Sequence, residues 1–284
     1  MPGLLESAAL NLRVAKRLAP RGGASLKERI GKLDDRLVFV VGSPRSGTTF
    51  LAGAIGALPG FVDLGELAPL KAAVPELASL PTEGAARRVR RILGVARRVG
   101  LVGAVRAVEQ TPEVAFLVDA VLTAYPQARV VHIVRDGRDV VCSLLERGWL
   151  REERVGKDDA GVAHGAYARF WVEPERTNEF ARVDDTSRAA WAWQRYVTAA
   201  RSAAGELLEI RYETLAAAPI DVAGQLASYL DAPVDPLSAA LAETHSASIG
   251  RYRRDLTDEQ LAEVDAEAGD LLRELGYLDG EAAT

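Results

Sequence analysis

The stretch VFVVGSPRSGTTF, residues 38–50, sets Gly42 and Gly47 five apart, after an apolar run and ahead of two threonines. A strand, a Gly/Ser turn and a helix start in that order make a cradle. Backbone N–H groups and the helix dipole there favour an anion. Thr48 and Thr49 add hydroxyl donors and Arg45 a delocalised cation. A loop that holds a nucleoside triphosphate, G-x-x-x-x-G-K-[ST], has lysine after its second glycine. Here that residue is Thr48, and the cation lies earlier, at Arg45. A triphosphate with Mg²⁺ also asks for an acidic residue ending a neighbouring strand. The second buried run, ARVVHIV (128–134), ends instead in RDGRD, and Arg135 offers a second anion site. Two cationic sites on adjoining strand ends suit a nucleotide with phosphates at both ends of its ribose. Each cluster also has a plain reading, SPRSGTT as a capped turn and RDGRD as a helix cap.

These residues need elements to position them. Arg36–Val41, Ala128–Val134 and Leu207–Tyr212 are continuous apolar runs, the pattern of strands buried on both faces. Phe61–Leu64 reads as a short strand ending at Gly65-Glu66. Helical patterns cover Thr48–Leu58, Gly84–Val108, the segment from Thr111-Pro112 to Tyr125, and the residues after RDGRD to Arg147. Asp185-Thr186-Ser187 caps a further helix, and most of the chain after Pro219 is helical in pattern, apart from a loop near 246–255. Strands alternating with helices predict an α/β fold, a parallel sheet of the phosphate-loop kind with helices on both faces. Ligands of such sheets sit at the carboxyl ends of the strands, where SPRSGTT, RDGRD and RYET all fall.

The 284 residues fit one domain, 1–284, with residues 1–35 as a helical N-terminal extension and 148–186 as an irregular segment. The aromatics of that segment either line an acceptor pocket as a lid or pin down a long loop. A net charge of −5 argues against a nucleic-acid binder. One cysteine, Cys142, excludes internal disulfides and thiolate clusters, and three histidines without ligand spacing argue against a metal site. No apolar run approaches a membrane span, and the N-terminus lacks a signal-peptide pattern, so a cytoplasmic protein is expected.

PRSGTTF followed by VRDGRDVVCS resembles the sulfotransferases that use 3′-phosphoadenosine 5′-phosphosulfate, above all their bacterial and carbohydrate or tyrosyl-protein branches. The resemblance spans roughly residues 36–278. It implies that Arg45, Ser46, Gly47, Thr48 and Thr49 hold the 5′-phosphosulfate, with Arg45 stabilising the leaving oxygen. Phe50 would lie against adenine, Arg135 and Ser143 would clamp the 3′-phosphate, and Tyr212 of RYET would contact the adenine end. In the closing segment SIGRYRRD, residues Ser248 to Arg251 would cover the nucleotide. The implied donor leaves 3′-phosphoadenosine 5′-phosphate as product, without a metal.

Sulfuryl transfer suits the missing lysine, because the moving group carries less charge than a phosphoryl group. It needs in-line positioning and a base for the acceptor hydroxyl. Glu66 in PGFVDLGELAPL matches the glutamate of the carbohydrate and tyrosyl-protein branches; a carboxylate capping a helix from 67 onward is the plain alternative, and Asp63 the fallback base. His132 reads as a core residue, His245 as a surface or capping one, and His164 as a remote candidate near the acceptor. Many relatives carry lysine where Gln110 precedes Thr111-Pro112, which leaves more of the charge stabilisation to Arg45. The expected partner is a small-molecule, glycan or glycolipid acceptor, with a homodimer open. The arginines of residues 87–106 form either a solvated face or a basic wall for an anionic lipid surface. Two other classes stay open: a phosphate-loop kinase or NTPase, disfavoured by Thr48 and the lack of a strand-end carboxylate, and a non-catalytic adenosine-bisphosphate binder.

Overall fold

The computed structural model describes residues 33–99, 105–150 and 170–278. In chain order the elements are β1 (Val38–Val41), α1 (Thr48–Gly56), β2 (Phe61–Gly65), α2 (Ala68–Ala78), α3 (Thr82–Val99) and β3 (Arg106–Glu109). A 3-10 turn (Pro112–Leu117) leads into α4 (Val118–Ala124), then β4 (Arg129–Val134) and α5 (Gly137–Arg147). A second 3-10 turn (Pro174–Arg176) precedes α6 (Thr177–Arg182), α7 (Asp185–Arg201), β5 (Leu208–Arg211) and α8 (Tyr212–Ala217). The chain continues through α9 (Pro219–Leu230), α10 (Val234–Leu241), α11 (Tyr252–Asp255) and α12 (Asp258–Glu274).

The five strands form one sheet in the order β2-β3-β1-β4-β5, every pair parallel. Side chains alternate between faces along a strand. Leu37, Phe39 and Val41 accordingly enter one core with α2, α3, α5, α7 and α12, while Val38 and Val40 enter another with α1, α9 and α10. Burial on both faces accounts for the unbroken apolar runs of β1 and β4. A parallel sheet puts all five carboxyl ends on one edge, so residues far apart in sequence meet there.

One expectation is overturned. The helical pattern of 84–108 does not run through: α3 ends at Val99, and Arg106–Glu109 is β3, in the middle of the sheet between β2 and β1. Arg106 is therefore not part of a basic helix. Its guanidinium is buried, where Nε donates to the Arg36 carbonyl at 2.9 Å, Nη1 bonds the Leu230 carbonyl, and the ring of Phe61 lies 4.6 Å away. A four-residue strand that opens and closes on charged residues has no apolar run to announce it.

The other elements fall within a few residues of their expected limits. Most of the expected N-terminal extension (1–35) lies outside the described residues, as does the middle of the 148–186 segment. What is described of that segment, from Phe170 on, includes a 3-10 turn and α6. It is held to α7 by Arg195, whose Nε donates to Glu173 at 3.0 Å and whose guanidinium lies between the rings of Phe116 and Trp171.

Helices α5 and α7 meet at Gly137, where a Cβ would come within 2.7 Å of the Trp193 ring. Trp193 is fully buried and its Nε1 donates to the Arg135 carbonyl at 3.0 Å, so this contact fixes the end of β4. Gly137→Ala is expected to cost about 1–3 kcal/mol through overpacking. Urea denaturation checks this, as a lower midpoint with an unchanged slope.

Candidate active site

The turn after β1 is built as an anion cradle. Gly47 caps α1 at φ 98°, a left-handed conformation, and a Cβ there would approach the Tyr212 ring to 2.9 Å, so only glycine fits. Arg45 also takes a left-handed conformation, φ 76°, uncommon outside glycine and found where a functional loop is tightly determined. Its Nε donates to Ser143 Oγ on α5 at 2.9 Å, and its guanidinium lies 5.5 Å from the Trp149 ring. Thr48 is buried, Thr49 exposed, and Phe50 half-buried against the α1 side of the core.

Arg135 ends β4 beside that turn. Its Nη1 donates to the Arg45 carbonyl at 3.2 Å and its Nη2 to the Ser248 carbonyl at 2.6 Å, and Tyr212 offers its ring face at 4.8 Å. Tyr212 is pinned by its hydroxyl, which donates to the His245 carbonyl at 2.7 Å. Asp139 accepts the backbone N–H groups of Gly250 at 2.7 Å and Tyr252 at 3.1 Å, and burial raises its carboxyl above the usual range. The closing segment is thus latched onto the end of β4 by both Arg135 and Asp139. Two buried donors in this cluster have no protein partner among the described residues: Ser46 Oγ and Arg135 Nε. A buried donor left unpaired is costly, and an oxyanion bound in the cradle would satisfy both. The donor set fits a phosphate-bearing guest.

The sequence-predicted residues are brought together unevenly. Arg45, Ser46, Gly47, Thr48, Arg135, Ser143 and Tyr212 share one cluster across β1, β4 and β5. Arg251 stands apart from its expected part in it: its ion pairs are with Asp255 at 2.6 Å and Glu146 at 3.1 Å. Glu213, not singled out from the sequence, joins the cluster's frame by accepting the Asp136 N–H at 2.9 Å and the Tyr277 hydroxyl at 2.9 Å. Its signal was its place beside Tyr212 at a strand end.

A second cluster lies at the ends of β2 and β3. Glu66 does not cap α2: Leu67 holds the cap position without a side-chain hydrogen bond. Instead Glu66 Oε2 accepts from Lys71 Nζ at 2.9 Å, and Lys71 also lies 3.5 Å from Glu113. Asp63, the fallback base, accepts the Gly65 N–H at 2.7 Å. The buried carboxylate of Glu109 accepts from the Thr111 N–H at 3.0 Å and from the Thr111 hydroxyl, which in turn accepts the Leu67 N–H at 3.0 Å. Gln110 is buried beside it, its N–H on the Gly65 carbonyl at 3.4 Å. Sequence reasoning missed Lys71, Glu109 and Glu113, because each is one charged residue in an otherwise apolar stretch.

The strand next to β1 thus does end in a carboxylate, Glu109, against the expectation of none. Complete burial pushes its carboxyl up to about 8 and leaves it no surface exposed to a cation. His132 is buried on β4 with Nδ1 3.2 Å from Glu209, His245 is exposed, and His164 lies outside the described residues. The arginine helix is only partly a basic wall. Arg97 turns inward to Asp35 at 3.2 Å and the Tyr125 ring, and Arg90, though exposed, also reaches Asp35 at 2.9 Å and that ring, while Arg87, Arg91 and Arg98 stand exposed around Val95. Among the described residues, no helix is long and apolar enough to cross a membrane, and no group of three or more His, Cys, Asp or Glu side chains could hold a metal ion.

An all-parallel five-stranded sheet with an anion cradle after its central strand defines the class of phosphate-loop α/β proteins. The model of the sulfotransferase family matches residues 91–236, just over half of the chain, and the chain belongs to that family of transferases. Solved structures agree in fold. A sulfotransferase domain from the curacin biosynthetic pathway superimposes with TM-score 0.51 at 15% identity, over 85% of this chain and 98% of that one. The sulfotransferase STF9 from Mycobacterium avium does so with TM-score 0.50 at 14% identity, over 96% and 84%. No curated protein matches the sequence. The family match begins after Arg45 and Glu66 and does not include them.

The raised Glu109 carboxyl has a consequence for stability. The folded state keeps its proton between the ordinary carboxyl range and about pH 8, whereas the unfolded chain releases it. The unfolded state therefore binds fewer protons in that window, and stability falls as pH rises through it, by on the order of 1 kcal/mol per pH unit from this group. Glu109→Gln, which keeps an acceptor for Thr111, should flatten that slope. Thermal midpoints of both proteins from pH 5 to 9 test it: the variant is expected to gain on the wild type as pH rises.

Proposed function

We propose that this chain transfers a sulfuryl group from 3′-phosphoadenosine 5′-phosphosulfate to a hydroxyl of a small-molecule, glycan or glycolipid acceptor. The observation that carries this reading is the coupling of two anion sites on adjoining strand ends. Arg45 Nε lies 2.9 Å from Ser143 Oγ, Arg135 Nη1 lies 3.2 Å from the Arg45 carbonyl, and the buried Ser46 Oγ and Arg135 Nε wait for an acceptor. A donor with a phosphate at each end of its ribose spans such a pair.

The donor would supply the sulfuryl group and a phosphate leaving group. Ser46, Gly47, Thr48 and Thr49 hold its 5′ end, Arg135 and Ser143 its 3′ end, and Phe50 and Tyr212 flank the base. Arg45 balances charge that builds on the bridging oxygen as the sulfur–oxygen bond breaks. Glu66, with 27% of its side chain exposed at the end of β2, takes the proton of the acceptor hydroxyl as that oxygen bonds to sulfur. A kinase reading asks for a carboxylate that can reach Mg²⁺, and Glu109 has no exposed surface and is engaged by Thr111. As a second partner we propose an anionic lipid surface for Arg87, Arg91 and Arg98, tested by sedimentation with anionic vesicles; loss of binding is expected when all three become Gln.

Calorimetric titration tests the donor site. Micromolar binding of 3′-phosphoadenosine 5′-phosphate without metal is expected, and Arg135→Ala should weaken it by about 2–3 kcal/mol, the worth of a charge-assisted contact. Tight binding of ATP with Mg²⁺ and no response to the bisphosphate would sink the reading. Glu66→Gln should lower turnover by about 10²–10⁴ while leaving bisphosphate affinity unchanged; a binder without catalysis would be indifferent to it.

A further inference from the structure

Lys71 is the one lysine of the described core: only 4% of it is exposed, on the first turn of α2. A buried ammonium costs several kcal/mol unless it is paired. Here it has two carboxylates, Glu66 at 2.9 Å and Glu113 at 3.5 Å. Glu113 is wholly buried in the 3-10 turn before α4, and its Oε1 accepts the hydroxyl of Tyr196, also wholly buried, on α7 at 3.0 Å. Of these four groups Glu66 is the most exposed, with 27% of its side chain accessible, and it stands at the carboxyl edge of the sheet.

The backbone of the same residue is fixed from the other side. Glu109 holds Thr111, and Thr111 Oγ1 accepts the N–H of Leu67, the residue next to Glu66. Glu66 and Lys71 are five apart across a turn, a spacing that helix geometry alone does not pair. The ion pair exists because this turn is held in place. If the buried charges served only to staple α2 to the turn and to α7, well-packed apolar residues of the same volume would do so at no cost.

We propose that Lys71, itself held by Glu113 and Tyr196, is a positioning residue that orients Glu66 and keeps it ionised as the base. This rests on the reading of Glu66 as the base. Lys71 on α2 touches Glu66 at 2.9 Å, Glu109 on β3 and Tyr196 on α7 lie near enough to interact with it electrostatically, and Glu113 on the 3-10 turn stands across Lys71. Lys71 is a cation in direct contact with Glu66, so its loss should make Glu66 easier to protonate.

The test follows single-turnover conversion of 3′-phosphoadenosine 5′-phosphosulfate to the bisphosphate from pH 5 to 9, with water and a panel of alcohols as acceptors. Bisphosphate affinity by calorimetry and the thermal midpoint are measured alongside. Lys71→Met is expected to slow the step 10- to 100-fold and to move the acid limb of the rate profile to higher pH, with bisphosphate affinity within twofold. Lys71→Arg should recover most of the rate. Because Lys71→Met strands the buried Glu113 charge, Lys71→Met/Glu113→Gln provides a variant that removes both charges; it should fold with a near-native midpoint and stay slow. A wild-type rate and pH profile in either Met variant overturns the inference, as does a Lys71→Arg variant no faster than Lys71→Met. If Glu66→Gln itself keeps the wild-type rate, the base reading fails and this inference with it. A slow Glu66→Gln beside a fast Lys71→Met removes the positioning role alone.

Discussion

Arg135 is a cation taken almost wholly out of water, and the rest of the site is arranged around keeping it there. The desolvation of a guanidinium is offset only where its donors meet acceptors in a fixed fork. Here those acceptors are backbone carbonyls from two distant segments, Arg45 after β1 and Ser248 before α11, with the Tyr212 ring as a third neighbour. Carbonyls neutralise no charge, and Asp139 stands 3.9 Å away with its oxygens engaged by Gly250 and Tyr252. The cluster is therefore satisfied in hydrogen bonds on two of three nitrogens and left electropositive. In the proposed reaction an anion completes it.

That arrangement explains why the cluster around Arg135 was legible in the sequence. Its parts sit in short runs whose local chemistry is visible: glycine where a side chain would strike the Tyr212 ring, arginine and aspartate directly after an apolar strand, tyrosine and glutamate after another. The parallel sheet then does the assembling, since strands β1, β4 and β5 are neighbours and all end on one edge. Strand β3 was not legible. Four residues beginning with Arg and ending with Glu continue the charge pattern of α3, and what makes them a strand is pairing on both sides, with β1 and β2. Tertiary context there overrides local pattern.

The cluster at the ends of β2 and β3 was legible only at Glu66, for the same reason in reverse. Lys71, Glu109, Glu113 and Tyr196 come from four elements and meet through packing, so no window of sequence contains their relation. Lys71, Glu109 and Glu113 also break the rule that ionisable side chains stay on the surface, which sequence patterning uses to assign faces. Buried charges of this kind are stable only as a set, because any one alone would carry an unpaired desolvation penalty. The helix α3 illustrates the opposite error. Its arginines read as a uniform basic face, yet Arg90 and Arg97 are spent on Asp35 and the Tyr125 ring, and about half of the apparent wall is structural.

Missing β3 also hid the strongest physical argument against metal-assisted chemistry at this edge. The strand beside the phosphate loop ends in a carboxylate, which by position alone would suit a Mg²⁺ site. Position is not enough. Glu109 has no exposed surface, spends one oxygen on Thr111, and burial pushes its carboxyl up to about 8. Ionising it would also set a second negative charge near Glu66, whose repulsion further favours the protonated form. The same burial that removes Glu109 as a metal ligand makes it a rigid anchor for Thr111 and, through Leu67, for the turn that carries Glu66. One carboxyl thus separates the two readings of the fold, because its protonation leaves charge at this edge to Glu66 and the groups that hold it.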